Sequence, residues 1–357
     1  MLDQVTAAFA RQDYETASQL LRELVKQSPH DPWVKLYLAR LQEVNGKVKA
    51  AEEIYRQLLQ SSTNSKLISQ ARQGLQRLAT LAKERRQQAI AQATAEPGSQ
   101  APGFLILEAV TGEARSELAK RFAQLLNTDA YTARGLLPSR GWRLYRAGLM
   151  GELAVFGQEL RKAGIPAFWA AIADLQSIQV FQVNYVQALQ PKAAVVCQNQ
   201  ANQVGMLSFE WSEVQQRVEG LLPLFSQVVD LGYRDRLEWK EHIEDYAHIW
   251  DLHLPARRCI LRLQDGKYDF RQGITAQREH DTVRQRWNEL VSVLNQSIPP
   301  GPVQADFTIF SESTSDFVTA IERLPSHLFL SRSSDCYLDS AFHLYSCLSL
   351  LKLSSSA

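Results

Sequence analysis

No Cys-x-x-Cys pair, no long apolar run and no excess of either charge occurs in this sequence of 357 residues. The four cysteines, Cys197, Cys259, Cys336 and Cys347, are too few for a disulfide framework in so long a chain, and they read as reduced thiols used as small apolar groups. The longest apolar stretches, Phe104 to Leu107 and Ile165 to Ala173, fall well short of the roughly 20 residues that a membrane span requires. Met1-Leu2-Asp3-Gln4-Val5 lacks the basic region and apolar core of a signal peptide, so a cytoplasmic protein is expected. Lys plus Arg number 39 against 38 Asp plus Glu, and this balance carries no field that would gather nucleic acid or an anionic membrane. Zinc-protease spacing, a glycine-rich phosphate loop and a serine elbow are all missing from the sequence. No catalytic residue and no cofactor is therefore assigned, and a non-enzyme is favoured while an enzyme stays open as the alternative.

What is present is a period. Thirty-four residues separate Ala17 from Ala51, Leu21 from Tyr55 and Leu24 from Leu58. A small residue and large apolar ones repeating at that distance mark stacked helical hairpins, which bury their faces only against one another. Tyr14 to Lys26 places apolar residues at 14, 17, 20, 21, 24 and 25, one face of a helix, and Ser28-Pro29-His30-Asp31-Pro32 stops it. A second pair follows, Trp33 to Val44 and Val48 to Leu59, joined at Asn45-Gly46, where glycine closes a helix end. Ala17 and Ala51 let the paired helices approach, and Leu21 and Tyr55 fill the groove beside them.

Gln12-Asp13-Tyr14-Glu15-Thr16-Ala17 with Leu21, Leu24 and Pro29, and Asn45 to Ala51 with Tyr55 and Leu58, resemble the tetratricopeptide repeat family. Two departures stand out: Thr63 occupies the place of a terminal proline, and Arg11-Gln12 stands where glycine is common. The resemblance implies a concave groove for a protein or peptide, lined by the first helix of each pair; here Leu2, Thr6, Phe9, Leu36, Arg40 and Glu43 fall at those positions. The lysines and asparagines with which some members clamp a chaperone's terminal carboxylate are missing at these positions, so a mixed apolar and charged contact is implied instead. The overall layout is also similar to cyanobacterial proteins of that family. From Lys66 a third, degenerate helix pair is expected, with Leu67, Ala71, Leu75, Leu78 and Ala82 as the apolar stripe of a cap. Lys83-Glu84-Arg85-Arg86 beyond it reads as a solvated helix end, since two arginines without interleaved aromatics do not make a nucleic-acid patch.

Residues 94–102 collect proline, glycine and small polar groups and read as a flexible linker. Strand and helix patterns then alternate from Phe104 to Ile172, which predicts a small α/β layer over 103–175. Thr111-Gly112 opens a helix there, and Glu113 argues against phosphate at its start. Residues 176–357 are strand-rich, with a hairpin expected about Asp265-Gly266 and helices over Arg284 to Gln296 and Tyr337 to Leu351. The fold class expected is therefore multidomain: an all-α repeat domain (1–93), a linker, and an α/β or α+β region with a mixed sheet, in one domain or two.

Three clusters hold residue types capable of chemistry. His242, Asp245, His248, Asp251 and His253 crowd a short acidic stretch, but six- and five-residue spacings do not stack histidines on a helix, and a solvated helix and turn is expected. Cys336, Asp339, His343 and Cys347 share one helical side; Cys336, Asp339 and His343 form a weak metal candidate, because a straight helix rising 1.5 Å per residue spreads them too far to converge. Ser311 to Asp316 read as helix-capping residues. Trp211, Trp239, Trp250 and Trp287 are expected mainly in the core. The function expected is a protein-interaction adaptor or assembly factor whose α/β region adds a second contact surface. The alternative is an enzyme or small-ligand sensor in residues 103–357 with the repeats as a docking arm. Partner identity and oligomeric state are not legible in the sequence.

Overall fold

The computed structural model describes residues 1–126, 128–231, 237–274, 282–328, 330, 332 and 336–356. The chain divides into two compact units, Met1–Gln92 and Ala93–Ala357.

The first unit is built from α1 (Leu2–Ala10), α2 (Tyr14–Gln27), α3 (Pro32–Val44), α4 (Val48–Ser61) and α5 (Ser65–Ala95). Their starts follow from local chemistry. Asp13 accepts the Thr16 amide at 3.1 Å, Asp31 accepts the Trp33 amide at 2.8 Å with Pro32 in the first turn, and Asn64 accepts the amides of Lys66 and Leu67. Gln12 and Gly46, 34 residues apart, both take left-handed backbone, with φ of 60° and 73°. Glycine adopts this conformation freely and glutamine pays for it, so the missing glycine of the first repeat leaves the turn's geometry unchanged. Nothing lies within 4 Å of a Cβ placed on Gly46. Gly46→Ala should therefore cost about 1 kcal/mol through backbone strain alone, read as a lower midpoint in thermal melts.

Two apolar clusters hold the unit together. Val5, Leu21, Leu24, Val34, Tyr37 and Leu41 join α1, α2 and α3, and Leu36, Ala39, Ala51, Tyr55, Leu58, Leu67, Ala71 and Leu78 join α3, α4 and α5. The segment from Lys66 is one helix of 31 residues rather than a degenerate pair. It contains no proline, and its single glycine, Gly74, is packed under the Tyr55 ring instead of ending a helix.

In the second unit β1 (Pro102–Glu108), α6 (Ala114–Leu126), α7 (Ala130–Leu136), β2 (Trp142–Leu149), α8 (Met150–Lys162), β3 (Ala167–Ala171) and α9 (Ile172–Gln176) come first. The strands form an antiparallel sheet in the order β2-β1-β3. The stretch read as a flexible linker is helical to Ala95 and then hydrogen-bonded: Met150 and Gly151 donate to the carbonyls of Ala101 and Ser99.

The remainder contains β4 (Gln179–Ala188), β5 (Ala193–Gln198), β6 (Val204–Phe209), β7 (Gln216–Leu231), β8 (Leu237–Leu254), β9 (Cys259–Gln264), α10 (Val283–Ser297), β10 (Val303–Gln304), α11 (Phe307–Glu312), α12 (Val318–Ile321) and α13 (Tyr337–Ser356). Seven strands order as β10-β7-β8-β9-β4-β5-β6, parallel at β10-β7 and β9-β4 and antiparallel elsewhere. One apolar cluster joins Phe104, Ile106, Trp142 and Leu144 of the small sheet to Val218, Ile249 and Ile260 of the large one through Phe342, Tyr345 and Leu348 of α13. Residues 103–175 and 176–357 thus share a core. A second cluster packs Trp287, Leu290 and Leu294 of α10 against Val195, Trp250 and Leu261.

Two expectations are corrected here. Residues 267–270 form no second strand of a hairpin about Asp265-Gly266, because both edges of β9 are taken, by β8 and by β4. The stretch His242 to His253 is strand, not helix and turn: it belongs to β8, which pairs with β7 from Gln216↔His253 out to Leu231↔Leu237.

Candidate functional site

The first helices of the repeats carry the candidate surface. Phe9, Glu43 and Arg77 recur at 34-residue spacing on α1, α3 and α5, as do Thr6, Arg40 and Gly74. Thr6, on the exposed side of α1, lies with its hydroxyl 2.7 Å from the Tyr37 hydroxyl. Phe9, half-buried, meets the Tyr14 ring edge-on with centroids 5.9 Å apart and the Tyr37 ring at 5.4 Å. The Arg40 guanidinium stands 6.0 Å from the Tyr37 centroid, at the outer limit of a cation–π contact. Thr6, Phe9 and Arg40 therefore surround Tyr37, with Leu2 half-buried at the start of the same helix.

Glu43 anchors a second group. Its carboxylate accepts from Tyr55 Oη at 2.8 Å and from Arg77 Nε and Nη2 at 2.8 and 3.0 Å. Burial pushes the Glu43 carboxyl up, but the bonds from Arg77 and Tyr55 outweigh it and hold the group below the usual carboxylate range. Burial and then the Glu43 carboxylate push the Tyr55 phenol above its ordinary value. A folded-state pKa below the ordinary 4.5 means that the stabilisation is present above pH 4.5 and is lost as pH falls through the folded value. Melts of the wild type should accordingly drop in midpoint below about pH 4.5, and those of Glu43→Gln should be flatter over the same range.

Leu36 must be withdrawn from the surface. It is 0% exposed and packs with Leu67 and Ala71 of α5. Arg77 joins the surface in its place, and Tyr37, 6% exposed, lies just beneath it. The 34-residue rule applied once more from Glu43 reaches Arg77, so that signal was available.

The weak metal set is not assembled. Arg332 holds Asp339 at 2.6 Å, Cys336 precedes α13, and His343 is buried with its ring nitrogens 3.7 Å from Cys347 Sγ and its ring 5.2 Å from that of His327. Burial pushes the Cys347 thiol up to about 12 and holds His343 well below the usual imidazole value, so both are neutral. Among the described residues no group of three or more His, Cys, Asp or Glu side chains is placed to hold a metal ion.

Of the acidic stretch on β8, Asp251 and His253 face α13 in the core. Arg262 of β9 donates to both Asp251 oxygens, from Nε at 2.9 Å and Nη2 at 2.7 Å, and from Nη1 to the Ser326 carbonyl at 2.8 Å. Ser346 donates to Asp251 at 2.5 Å and lies 3.0 Å from His253 Nε2. Serine, histidine and aspartate are thus adjacent, but in the wrong order for nucleophilic catalysis. The serine bonds the carboxylate itself, His253 Nδ1 has no partner among the described residues to orient it, and all three are fully buried. The group is a structural ion-pair network.

A tetratricopeptide repeat family model matches residues 8–75. The N-terminal helices are a tetratricopeptide-like repeat, and the region after them carries antiparallel and mixed sheets. No curated protein and no solved structure gives a significant match to the chain. No helix among the described residues is long and apolar enough to cross a membrane.

Proposed function

We propose that this chain is an adaptor or assembly factor that binds a protein or peptide segment on the repeat surface formed by Leu2, Thr6, Phe9, Arg40 and Glu43, with Arg77 beside Glu43 and the buried Tyr37 beneath them. The observation that carries the reading is the arrangement about Tyr37: an exposed hydroxyl, a half-buried aromatic ring and a cation lie side by side on helices that a repeat holds fixed. Rigid aromatic and arginine side chains are what protein interfaces favour at their centres. The tetratricopeptide match supports a protein as the partner.

The second unit offers a further contact surface. On the β7–β8 ribbon Val229 stands opposite Trp239, and Trp239 is 70% exposed. Ile243, on the same ribbon face two pairs further in, is exposed too. Apolar side chains left in water on a long two-stranded ribbon fit a protein contact.

The test uses the intact chain as bait in an extract of its own cells, beside Thr6→Arg and Arg40→Glu. Thr6 is exposed and Arg40 half-buried, and a melt of each variant beside the wild type checks that it is folded at the temperature of the test. A partner retained by the wild type should fall at least tenfold with either variant. Recovery of the same partner at the same level by both variants would reject the repeat surface.

A further inference from the structure

A cleft of about 790 Å³ opens on the second unit, built from β4, β5, the end of β9, the chain that follows it and His327. Its size lies within the roughly 300–1,000 Å³ of small-molecule sites. Its lining is unusual in kind: eight of the thirteen residues are asparagine or glutamine. Gln182 and Gln198 face each other directly across the β4–β5 pair, Asn184 follows on β4, and Gln264 closes the end of β9. Lys267 and Asp269, the two oppositely charged side chains in the lining, balance one another.

Gln264 is the informative member. It is 3% exposed, and its Oε1 has no hydrogen-bond partner among the described residues. A buried amide oxygen left unpaired costs free energy, and such a group in a cleft wall marks a place where a donor is received. Gln198 is already oriented, its Nε2 donating to Asn202 at 3.0 Å, which leaves its carbonyl oxygen to accept. Tyr185, half-buried beside them, supplies a flat aromatic face.

We infer that this cleft binds a neutral polyhydroxylated ligand, an oligosaccharide, through its row of amides with Tyr185 as the stacking face. The choice rests on the donor and acceptor inventory. Each amide sets an N–H donor beside a C=O acceptor, and a sugar hydroxyl both donates and accepts, so neighbouring hydroxyls match neighbouring amides. A phosphorylated ligand would want more cation than Lys267 supplies. An extended peptide would want an open strand edge, but β9, β4 and β5 are interior strands with a neighbour on each side.

Isothermal titration of the intact protein with maltotriose, cellotriose and triacetylchitotriose, and with ATP, tests the inference. At least one trisaccharide should bind saturably and ATP should not. Gln198→Ala and Asn184→Ala should each weaken that trisaccharide roughly three- to tenfold, and Lys267→Ala should leave it within about twofold. If Asn184→Ala lowers the melt, Gln198→Ala decides alone. Absence of binding by all three sugars, affinity unchanged in the amide variants, or ATP binding lost with Lys267→Ala would overturn it. None of these outcomes bears on the repeat surface, which lies in the other unit.

Discussion

Arg262→Met, with Asp251 left in place, is expected to destabilise the second unit by about 3–5 kcal/mol, the largest effect of any single change considered. Both side chains are fully buried, so the substitution strands a carboxylate that had accepted two guanidinium bonds and the Ser346 hydroxyl. The Ser326 carbonyl also loses its donor, and the Phe342 ring loses the cation 5.3 Å from its centroid. Removing both charges together, as Asp251→Leu with Arg262→Met, should recover a large part of the loss, because an apolar pair of similar volume avoids desolvating any charge. Urea unfolding followed by tryptophan fluorescence measures both. A single substitution that costs less than about 1 kcal/mol would mean that the pair is hydrated rather than sealed under α13.

Gly74→Ala should unsettle the first unit by about 1–3 kcal/mol, against the usual gain of alanine over glycine inside a helix. A Cβ at position 74 would sit 2.4–2.7 Å from three carbons of the Tyr55 ring. That ring is fully buried and fixed by its hydroxyl on Glu43, so it cannot swing aside without breaking the Glu43 group as well. Tyr55→Leu alone should also be costly, but the double variant should be more stable than the two losses summed predict, since the clash exists only when ring and methyl are both present. Thermal melts of the four proteins give the coupling. Additive losses would show that Tyr55 does not rest on residue 74.

The repeat was legible because its physics is local and periodic. Helix pairing needs Ala17 and Ala51 at one spacing, and the same spacing carries Phe9 to Glu43 to Arg77. The fate of Leu36 was not legible, since its burial depends on where the first turns of α5, with Leu67 and Ala71, come to rest in space. The β7–β8 ribbon escaped for a different reason. Its outer half is exposed on the sides that Gln227, Glu241 and His242 occupy, so no apolar alternation marks it, and its inner half, from Ala247 to Leu254, is covered on both faces. A register shift between Leu224 and Phe225 also breaks the two-residue parity where the one half meets the other. Asp265-Gly266 misled because a turn dipeptide specifies the bend and not the partner strand. The amide cleft was invisible in the sequence: Gln182, Gln198 and Gln264 come from three strands, and only the pairing of β4 with both β5 and β9 gathers them.

The pH response separates the two units. His253 is buried and neutral, its pKa lowered to about 4, chiefly by burial. An imidazole whose folded value lies below its ordinary 6.5 binds fewer protons folded than unfolded in that interval, so the second unit should lose stability as pH falls from about 6.5 towards 4. The Glu43 group of the first unit begins to act only below about pH 4.5, at the acid end of that window. Melts at a series of pH values in a Trp33→Phe background, read by tryptophan fluorescence for the second unit and by a probe placed on α2 for the first, should show the second unit weakening at the higher pH.

Hydrogen–deuterium exchange of the intact protein, alone and with a captured partner bound, tests the account most directly. The account predicts new protection in Leu2–Ala10 and Pro32–Val44, the helices that carry Thr6, Phe9, Tyr37 and Arg40. Protection confined to residues 93–357, with α1 and α3 exchanging as they do in the free protein, would contradict it.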